Sequence, residues 1–577
     1  MNDKPLEAIV VGGGISGLAT AALLAKAGMK VKLFEAREQV GGRAYIWQKD
    51  GFKFDMGPSW YLMPDAFDQF FKLMGTTADA ELELVRLDPA YQTRNEGFAE
   101  PITIWQDLAK NFETFEAIEP GSAKKLRKYL DSAADTYRLS IEHFLYTNFK
   151  DTRSFTNPEV IKRAPNFVRH LLSSLDSFAA KHVRDARLRK ILNFPAVFLG
   201  ASPYDTPSMY HLMTHVDMEV GVFYPMGGFY TIIEAIERIA LRHGVEIHTN
   251  SPVSKITTDG TSSTETSSDS GRKSGPSGKP RATGVQVGSV HHKADLVVAT
   301  ADLHHVETQL LDTKVQSMPE KFWASKTPGP SALLLLLGVK GKLPQLDHHT
   351  LLYTDDWKAN FDEVFHKADG KRQVPDPASL YICAPSVTDP SVAPADHENL
   401  FVLVPIAADT SIGHGGENGA GDAKLEAAAD RVIEQIAKWC EIDDLAERIV
   451  TRRIVGPADF ADDLNAWSGT ALGMAHTLQQ SAFFRPKNYS TKVDSLFYAG
   501  HNTLPGIGLP MCLISAELVL KHLTNDRTAG PTPNEIQPLP REAWVGLKTG
   551  SGSNSQSGST GSASGDTSGD DLLLMGL

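Results

Sequence analysis

Gly12, Gly14 and Gly17 stand in the spacing G-x-G-x-x-G, inside Ile9-Val10-Val11-Gly12-Gly13-Gly14-Ile15-Ser16-Gly17-Leu18. That spacing suits the binding of a dinucleotide pyrophosphate. Gly12 permits a tight turn out of a strand, Gly14 lets the backbone approach the phosphates, and Gly17 lets the next helix pack close to the sheet. The start of that helix, at Ile15 and Ser16, offers free N–H groups and the positive end of its dipole. Glu35 lies 18 residues after Gly17, where an acid takes the ribose hydroxyls, with Ala36 beside it. Gly41-Gly42-Arg43 follows, and a second glycine pair with an arginine suits a pyrophosphate clasped from two sides.

Other chemistries lack their residues. There is no Ser/His/Asp arrangement, no HExxH and no convincing metal-ligand set. The pairs His291-His292, His304-His305 and His348-His349 fall in loop-like or strand-edge contexts, and no metal is expected there. Cys383, Cys440 and Cys512 lie far apart with no CxxC, which suits a reducing compartment and excludes a disulfide scaffold. No catalytic side chain can be named from the sequence.

The elements that must position these residues begin with a βαβ unit, which predicts a parallel sheet. Residues 6–11 read as a strand, 16–27 as a helix and 30–34 as a second strand. Residues 64–225 carry helical patterns rich in Phe and Leu, notably 66–74 and 121–144. Pro225-Met226-Gly227-Gly228 precedes a helix over 229–243 and a strand over 245–248. Residues 259–283 are rich in Ser, Thr, Gly and Lys and read as a flexible hairpin connection between strands ending near Ile256 and beginning near Gly284. Strands are expected over 284–290, 294–299, 333–337, 400–404 and 496–499, and a last helix over 511–523. From about 547 a Gly/Ser-rich tail is expected to be disordered.

The chain has 577 residues, 41 % apolar and 22 % charged, enough for a large core. Its net charge of −13 argues against nucleic acid as a partner. The N-terminus lacks a signal-peptide pattern, and the longest apolar run, 332–339, falls short of the ~20 residues of a membrane span. A cytoplasmic, non-spanning protein is expected. Residues 150–190 hold ten Lys/Arg and four Asp/Glu, a local +6. There Phe167, Leu171, Leu175 and Phe178 fall at helical spacing among Arg169, His170 and Lys181. That pattern fits either a basic amphipathic helix on an anionic membrane or a domain helix with its stripe in the core.

The run from Val10 to Arg43 resembles the FAD site of the amine-oxidase-like flavoproteins. Within them, Phe54-Asp55-Met56-Gly57-Pro58-Ser59, Tyr224-Pro225-Met226-Gly227-Gly228 and Ala299-Thr300-Ala301-Asp302 resemble elements of carotenoid desaturases of the bacterial and fungal phytoene desaturase type. So do Leu472-Gly473-Met474-Ala475-His476, Gln480 to Pro486, and Tyr498-Ala499-Gly500 with Thr503, Pro505, Gly506, Gly508 and Pro510. The matches run in family order over residues 8 to about 523. His501 departs from the family, many of whose members carry a small residue there.

The resemblance implies an α/β fold: a Rossmann-like FAD-binding domain of the GR2 type with an inserted substrate- and membrane-facing domain of mixed helices and sheet. The implied FAD-binding parts are 1–63, 226–310 and 481–530, and the substrate parts are 64–225 and 311–480. It implies that Glu35 holds the adenosine ribose, that Gly12, Gly14, Gly17, Gly42 and Arg43 hold the pyrophosphate, and that the Val253 backbone meets adenine. Gly57, Pro58 and Ser59 join the cofactor site. Gly500 and the helix start Leu509-Pro510-Met511 face the ribityl chain and isoalloxazine. The implied reaction is desaturation of a long isoprenoid, phytoene first, by hydride transfer to flavin N5 and proton loss. Quinone or oxygen would accept the electrons, the membrane contact would be peripheral, and a homo-oligomer is left open. A carotenoid isomerase, ketolase or C30 desaturase shares the fold. More distant readings are an amine or protoporphyrinogen oxidase, or a flavin-free prenyl-lipid carrier, which has no need of Glu35 and Gly41-Gly42-Arg43.

Overall fold

Glu7–Val11 lies at the centre of a five-stranded sheet in the computed structural model, which describes residues 4–150, 153–259, 278–365, 372–544 and 547. The strand order is Leu496–Tyr498, Leu296–Ala299, Glu7–Val11, Lys30–Phe34 and Glu246–His248. Every neighbouring pair is parallel. Parallel neighbours need a crossover, which the helix Ile15–Lys26 supplies for the first two strands. Ala8 and Val10 point into one core, Ile9 and Val11 into another. Both faces are therefore covered, which is why the strand reads as an unbroken apolar run. On one face Ile15–Lys26 packs against the helices Tyr230–Arg242 and Leu509–Thr524.

The other face carries a small antiparallel sheet of Val253–Thr258, Ala282–Val287 and Val290–Lys293. The strand expected over 284–290 is two strands, because Gly288, with φ +54°, turns the chain back on itself. The two strands flanking the Ser/Gly-rich insert do pair with one another. Residues 260–277 of the insert lie outside the described residues, and so does the tail beyond Leu547, which is itself buried.

The second large sheet has seven strands: Ile449–Val455, Ser331–Lys340, His397–Ile406, Leu380–Cys383, His349–Tyr353, Tyr91–Asn95 and Ile102–Ile104. All its pairings are antiparallel except that of His349–Tyr353 with Tyr91–Asn95. The apolar run at 333–337 sits here. Leu333, Leu335 and Leu337 face one core, and Leu334 and Leu336 the opposite one.

Helices fill the space beside this sheet. Ser122–Ser140 continues through a π-turn, Ile141–Leu145, whose widened backbone turns Phe144 and Leu145 toward the central cavity. The single amphipathic stripe from Phe167 to Phe178 is two helices, Pro158–Leu172 and Leu175–Ala179. Ser173 is extended, and Ser174 caps the second helix by accepting the Ser177 N–H at 3.2 Å. Serine competes for backbone hydrogen bonds and so favours such breaks. Leu175 and Phe178 are buried, whereas Phe167 and Leu171 reach the cavity. Among the described residues no helix is long and apolar enough to cross a membrane.

Candidate active site

The glycine loop leaves the strand at Gly12, where φ is +104°, and a Cβ on Gly17 would sit 2.0 Å from the Gly12 carbonyl oxygen. Only glycine lets the helix start that close. Thr300 fixes the loop from the neighbouring strand, its hydroxyl donating to the carbonyls of Val11 (3.0 Å) and Gly12 (2.8 Å). Glu35 lies at the end of the second strand. Its carboxylate accepts the Gly13 N–H at 2.6 Å and the Arg37 N–H at 2.9 Å. A carboxylate offers about four lone-pair sites, so capacity for ribose hydroxyls remains.

The second glycine pair closes on the first. Gly41 N–H donates to the Gly13 carbonyl at 2.9 Å, and a Cβ on Gly42 would stand 3.2 Å from Gly14 Cα. A Cβ on Gly14 would meet nothing nearer than 3.9 Å. Arg43 Nε donates to the Ala471 carbonyl at 3.0 Å, while Nη2 is buried and makes no hydrogen bond within the protein. An open backbone cradle beside a guanidinium with a buried Nη2 that makes no hydrogen bond is what a pyrophosphate requires, so these residues fit a bound FAD.

Asp302 sits 3.5 Å from Arg43 Nη2 and 3.7 Å from His501 Nε2, with its side chain wholly buried. Burial alone would raise its pKa, but His501 and Arg43 outweigh that and hold the carboxyl below its usual range. Burial, with Arg43 adding to it, pulls His501 down to about 4, so its ring is neutral at physiological pH.

The C-terminal loop is held by residues the sequence reading did not single out. Asn488 Nδ2 donates to the carbonyls of Tyr498 and Leu504 and to the hydroxyls of Thr503 and Ser515. Ser515 also accepts the Gly500 N–H at 3.0 Å. This network aims the start of Leu509–Thr524 at the cavity, where Leu509, Pro510 and Met511 form part of the wall. Asp55 was likewise visible only as a motif letter. Its carboxylate caps the turn at Gly228 by accepting the N–H groups of Phe229 (2.7 Å) and Tyr230 (3.0 Å), and burial raises it to about 6.

These parts enclose one continuous cavity of about 750 Å³. Of the residues expected to bind cofactor, Gly12, Gly14, Ile15, Ser16, Glu35, Ala36, Gly42, Arg43, Gly57, Pro58, Ser59, Val253, Leu509, Pro510 and Met511 line it. Gly17 and Gly500 stand behind the wall. Gly17 serves helix packing, and Gly500 backs onto Ser16 and Thr300. Beyond the nucleotide end the walls are mostly apolar, including Phe144, Phe167, Phe198, Leu334 and Leu403, with Asn360, Asp463 and Asn465 among them. Phe155 and Phe483 are among the exposed residues of its lining, 40 % and 49 % exposed, and meet with ring centroids 6.2 Å apart. The histidines on its wall, His305, His476 and His501, all have pKa values pulled down by burial.

The histidine pairs divide. His291 and His292 lie on the strand Val290–Lys293, and His304 and His305 on the short helix Leu303–His305. His348 and His349 are buried rather than at an exposed edge, and they stand beside Cys383. All three cysteines are buried and free.

The parallel nucleotide-binding sheet, the double glycine clasp and the apolar cavity define a flavin-dependent oxidoreductase. The profile of the flavin containing amine oxidoreductases matches residues 15–519. The chain is 37 % identical to the carotenoid 3,4-desaturase of Haloarcula japonica, over 90 % of this chain and 98 % of that protein. It is 33 % identical to a zeta-carotene-forming phytoene desaturase of Myxococcus xanthus, over 91 % and 97 %. The fold is that of the cyclohexylamine oxidase of Brevibacterium oxydans, with TM-score 0.51 at 12 % identity over 90 % of this chain and 98 % of the other. The chain therefore belongs to the flavin-containing amine oxidoreductase family, among its carotenoid desaturases, and is an FAD-dependent oxidoreductase.

Proposed function

We propose that this enzyme desaturates a linear C40 carotenoid, phytoene or a partly desaturated successor, drawn from a membrane. The observation that carries the reading is one continuous cavity, which joins the nucleotide clasp to a largely apolar, aromatic interior and includes two exposed phenylalanines in its lining. When bound, FAD supplies the two-electron acceptor for hydride. An allylic C–H is far too weak an acid for a side-chain base to ionise first. Hydride departure leaves an allylic cation spread over the polyene, and transfer of a proton from the adjacent carbon to a weak base completes the double bond. The protein's part is to orient and to exclude water. Apolar walls align the chain, the glycine clasp and Arg43 fix the cofactor, and the buried histidines of the wall stay neutral.

Delivery fits the exposed side chains on the two segments that carry Phe155 and Phe483. Ile161 is 57 % and Leu172 77 % exposed, and Lys162, Arg169 and Lys487 are exposed on the same two segments. Exposed apolar side chains among cations suit the interface of an anionic bilayer. A quinone dissolved in that bilayer, or oxygen, would take the electrons onward.

A second reading, desaturation at a 3,4 position of an already conjugated carotenoid, is favoured by the 37 % identity to the Haloarcula japonica enzyme. Anaerobic mixing of the flavin-loaded protein with phytoene in liposomes separates the two. Phytoene desaturation bleaches the flavin absorption and forms a longer chromophore. No bleaching with phytoene, but bleaching with lycopene, would favour the second reading.

A further inference from the structure

We propose that His348, His349 and Cys383 form a binding site for a thiophilic divalent cation of the zinc class. His349 stands directly opposite Cys383 in the antiparallel pairing of His349–Tyr353 with Leu380–Cys383. Directly opposed residues share a face of the sheet. His348 adds a second ring, with centroids 4.5 Å apart. One ring nitrogen from each histidine and Cys383 Sγ all lie within 4.8 Å of one another. A tetrahedral zinc with bonds of about 2.0–2.3 Å holds its ligand atoms roughly 3.3–3.6 Å apart, so side-chain shifts of about 1 Å complete the geometry.

The hydrogen bonds select the ligand atoms. Tyr381 donates its one hydroxyl proton to Ser59 Oγ at 2.8 Å. The same hydroxyl stands 2.8 Å from His349 Nδ1, so that nitrogen is engaged. His348 Nδ1 is held in the same way by Thr388 Oγ1 at 2.8 Å. Both Nε2 atoms are buried and have no hydrogen-bond partner, in residues 3 % and 0 % exposed. Metal-bound histidines show this arrangement, one nitrogen fixed by an outer partner and the other free for the metal.

Charge and chemistry agree. Binding a cation would form the S–metal bond and release the Cys383 thiol proton to solvent, with no change of oxidation state. Asp55 and Asp389 supply negative field beside Cys383 and His348. None of the three ligands lines the cofactor cavity, but their neighbours do. Trp60 stacks on His349 at 4.3 Å, and Ser59, Trp60 and Tyr381 are cavity wall. A bound cation would pin that wall.

The test uses the full-length, flavin-loaded protein from zinc-supplemented culture, with metal content by mass spectrometry and coordination by zinc-edge X-ray absorption. The proposal expects about one zinc per chain, with one sulfur at about 2.3 Å and two nitrogens at about 2.0–2.1 Å. Cys383→Ser and His348→Gln lose the metal while the flavin absorption persists, and Cys440→Ser keeps it. Tyr381→Phe, which spares every ligand, weakens binding about 10–100-fold. Where a ligand variant does not fold, the wild-type stoichiometry and sulfur shell decide alone. Wild-type protein with only trace zinc, or a zinc–sulfur shell that survives Cys383→Ser, would overturn the proposal.

Discussion

Gly14 and Gly17, three residues apart in the same motif, should fail in opposite ways when given one methyl group. At Gly17 an added Cβ would lie 2.0 Å from the Gly12 carbonyl, whereas real Cβ atoms keep at least 3.0 Å, so the helix start or the loop must retreat by about 1 Å. Overpacking of that size costs about 1–3 kcal/mol. At Gly14 the backbone has φ −69° and ψ 176°, which alanine adopts freely, and the nearest atom is 3.9 Å away. Gly14→Ala therefore leaves the apoprotein as stable as wild type, or more stable by about 0.4–1 kcal/mol through reduced chain entropy. The methyl group instead occupies the approach of the pyrophosphate. A loss of tenfold or more in FAD affinity follows, which is about 1.4 kcal/mol. The assay pairs denaturant unfolding of the two apoproteins with FAD reconstitution titrations. A Gly14→Ala protein that binds FAD like wild type, or a Gly17→Ala apoprotein of undiminished stability, would refute the assignment of the two glycines.

Glu35→Ala removes the acceptor of the Gly13 and Arg37 N–H groups and the partner proposed for the ribose, so the purified protein should be colourless; retained flavin absorption would contradict this. Asp55→Ala leaves the N–H groups of Phe229 and Tyr230 without acceptors, and each buried orphan costs about 1–3 kcal/mol, readable as a lowered urea midpoint with flavin still bound. Burial pulls His211 and His522 down to about 3 and His501 to about 4. Below pH 6.5 the unfolded chain binds protons that the fold refuses, so each of the three removes up to about 1.4 kcal/mol per pH unit as pH falls toward its folded value. The thermal midpoint should drop progressively as pH falls from about 6.5 toward 4, and a flat profile would contradict the burial of these rings. Phe155→Asp combined with Phe483→Asp should abolish co-sedimentation with anionic liposomes at unchanged flavin content; undiminished sedimentation would place the lipid contact elsewhere.

The nucleotide half of the site is legible in the sequence because its physics is local. The Gly12-Gly14-Gly17 spacing, the strand end at Glu35 and the helix start at Pro510 each follow from a few adjacent residues, and the structure brings Gly12, Gly14, Glu35 and Pro510 to one cavity. What holds that cavity is not local. Asn488 and Ser515 are 27 residues apart and meet only through the fold, and Asp55 caps a turn 173 residues away. The stripe from Phe167 to Phe178 misled because helical periodicity does not register a serine break, and Ser173-Ser174 ends one helix and caps the next. The His348-His349 pair looked like a strand edge because no local pattern announces that Cys383 will stand opposite.

Desaturation of a linear carotenoid in the cavity beside FAD is measured by the absorption spectrum of pigments extracted from a bacterial host that accumulates phytoene and expresses this chain. New visible bands are expected, whose positions count the conjugated double bonds and so name the product. A colourless extract from cells holding well-expressed, flavin-loaded protein would contradict it.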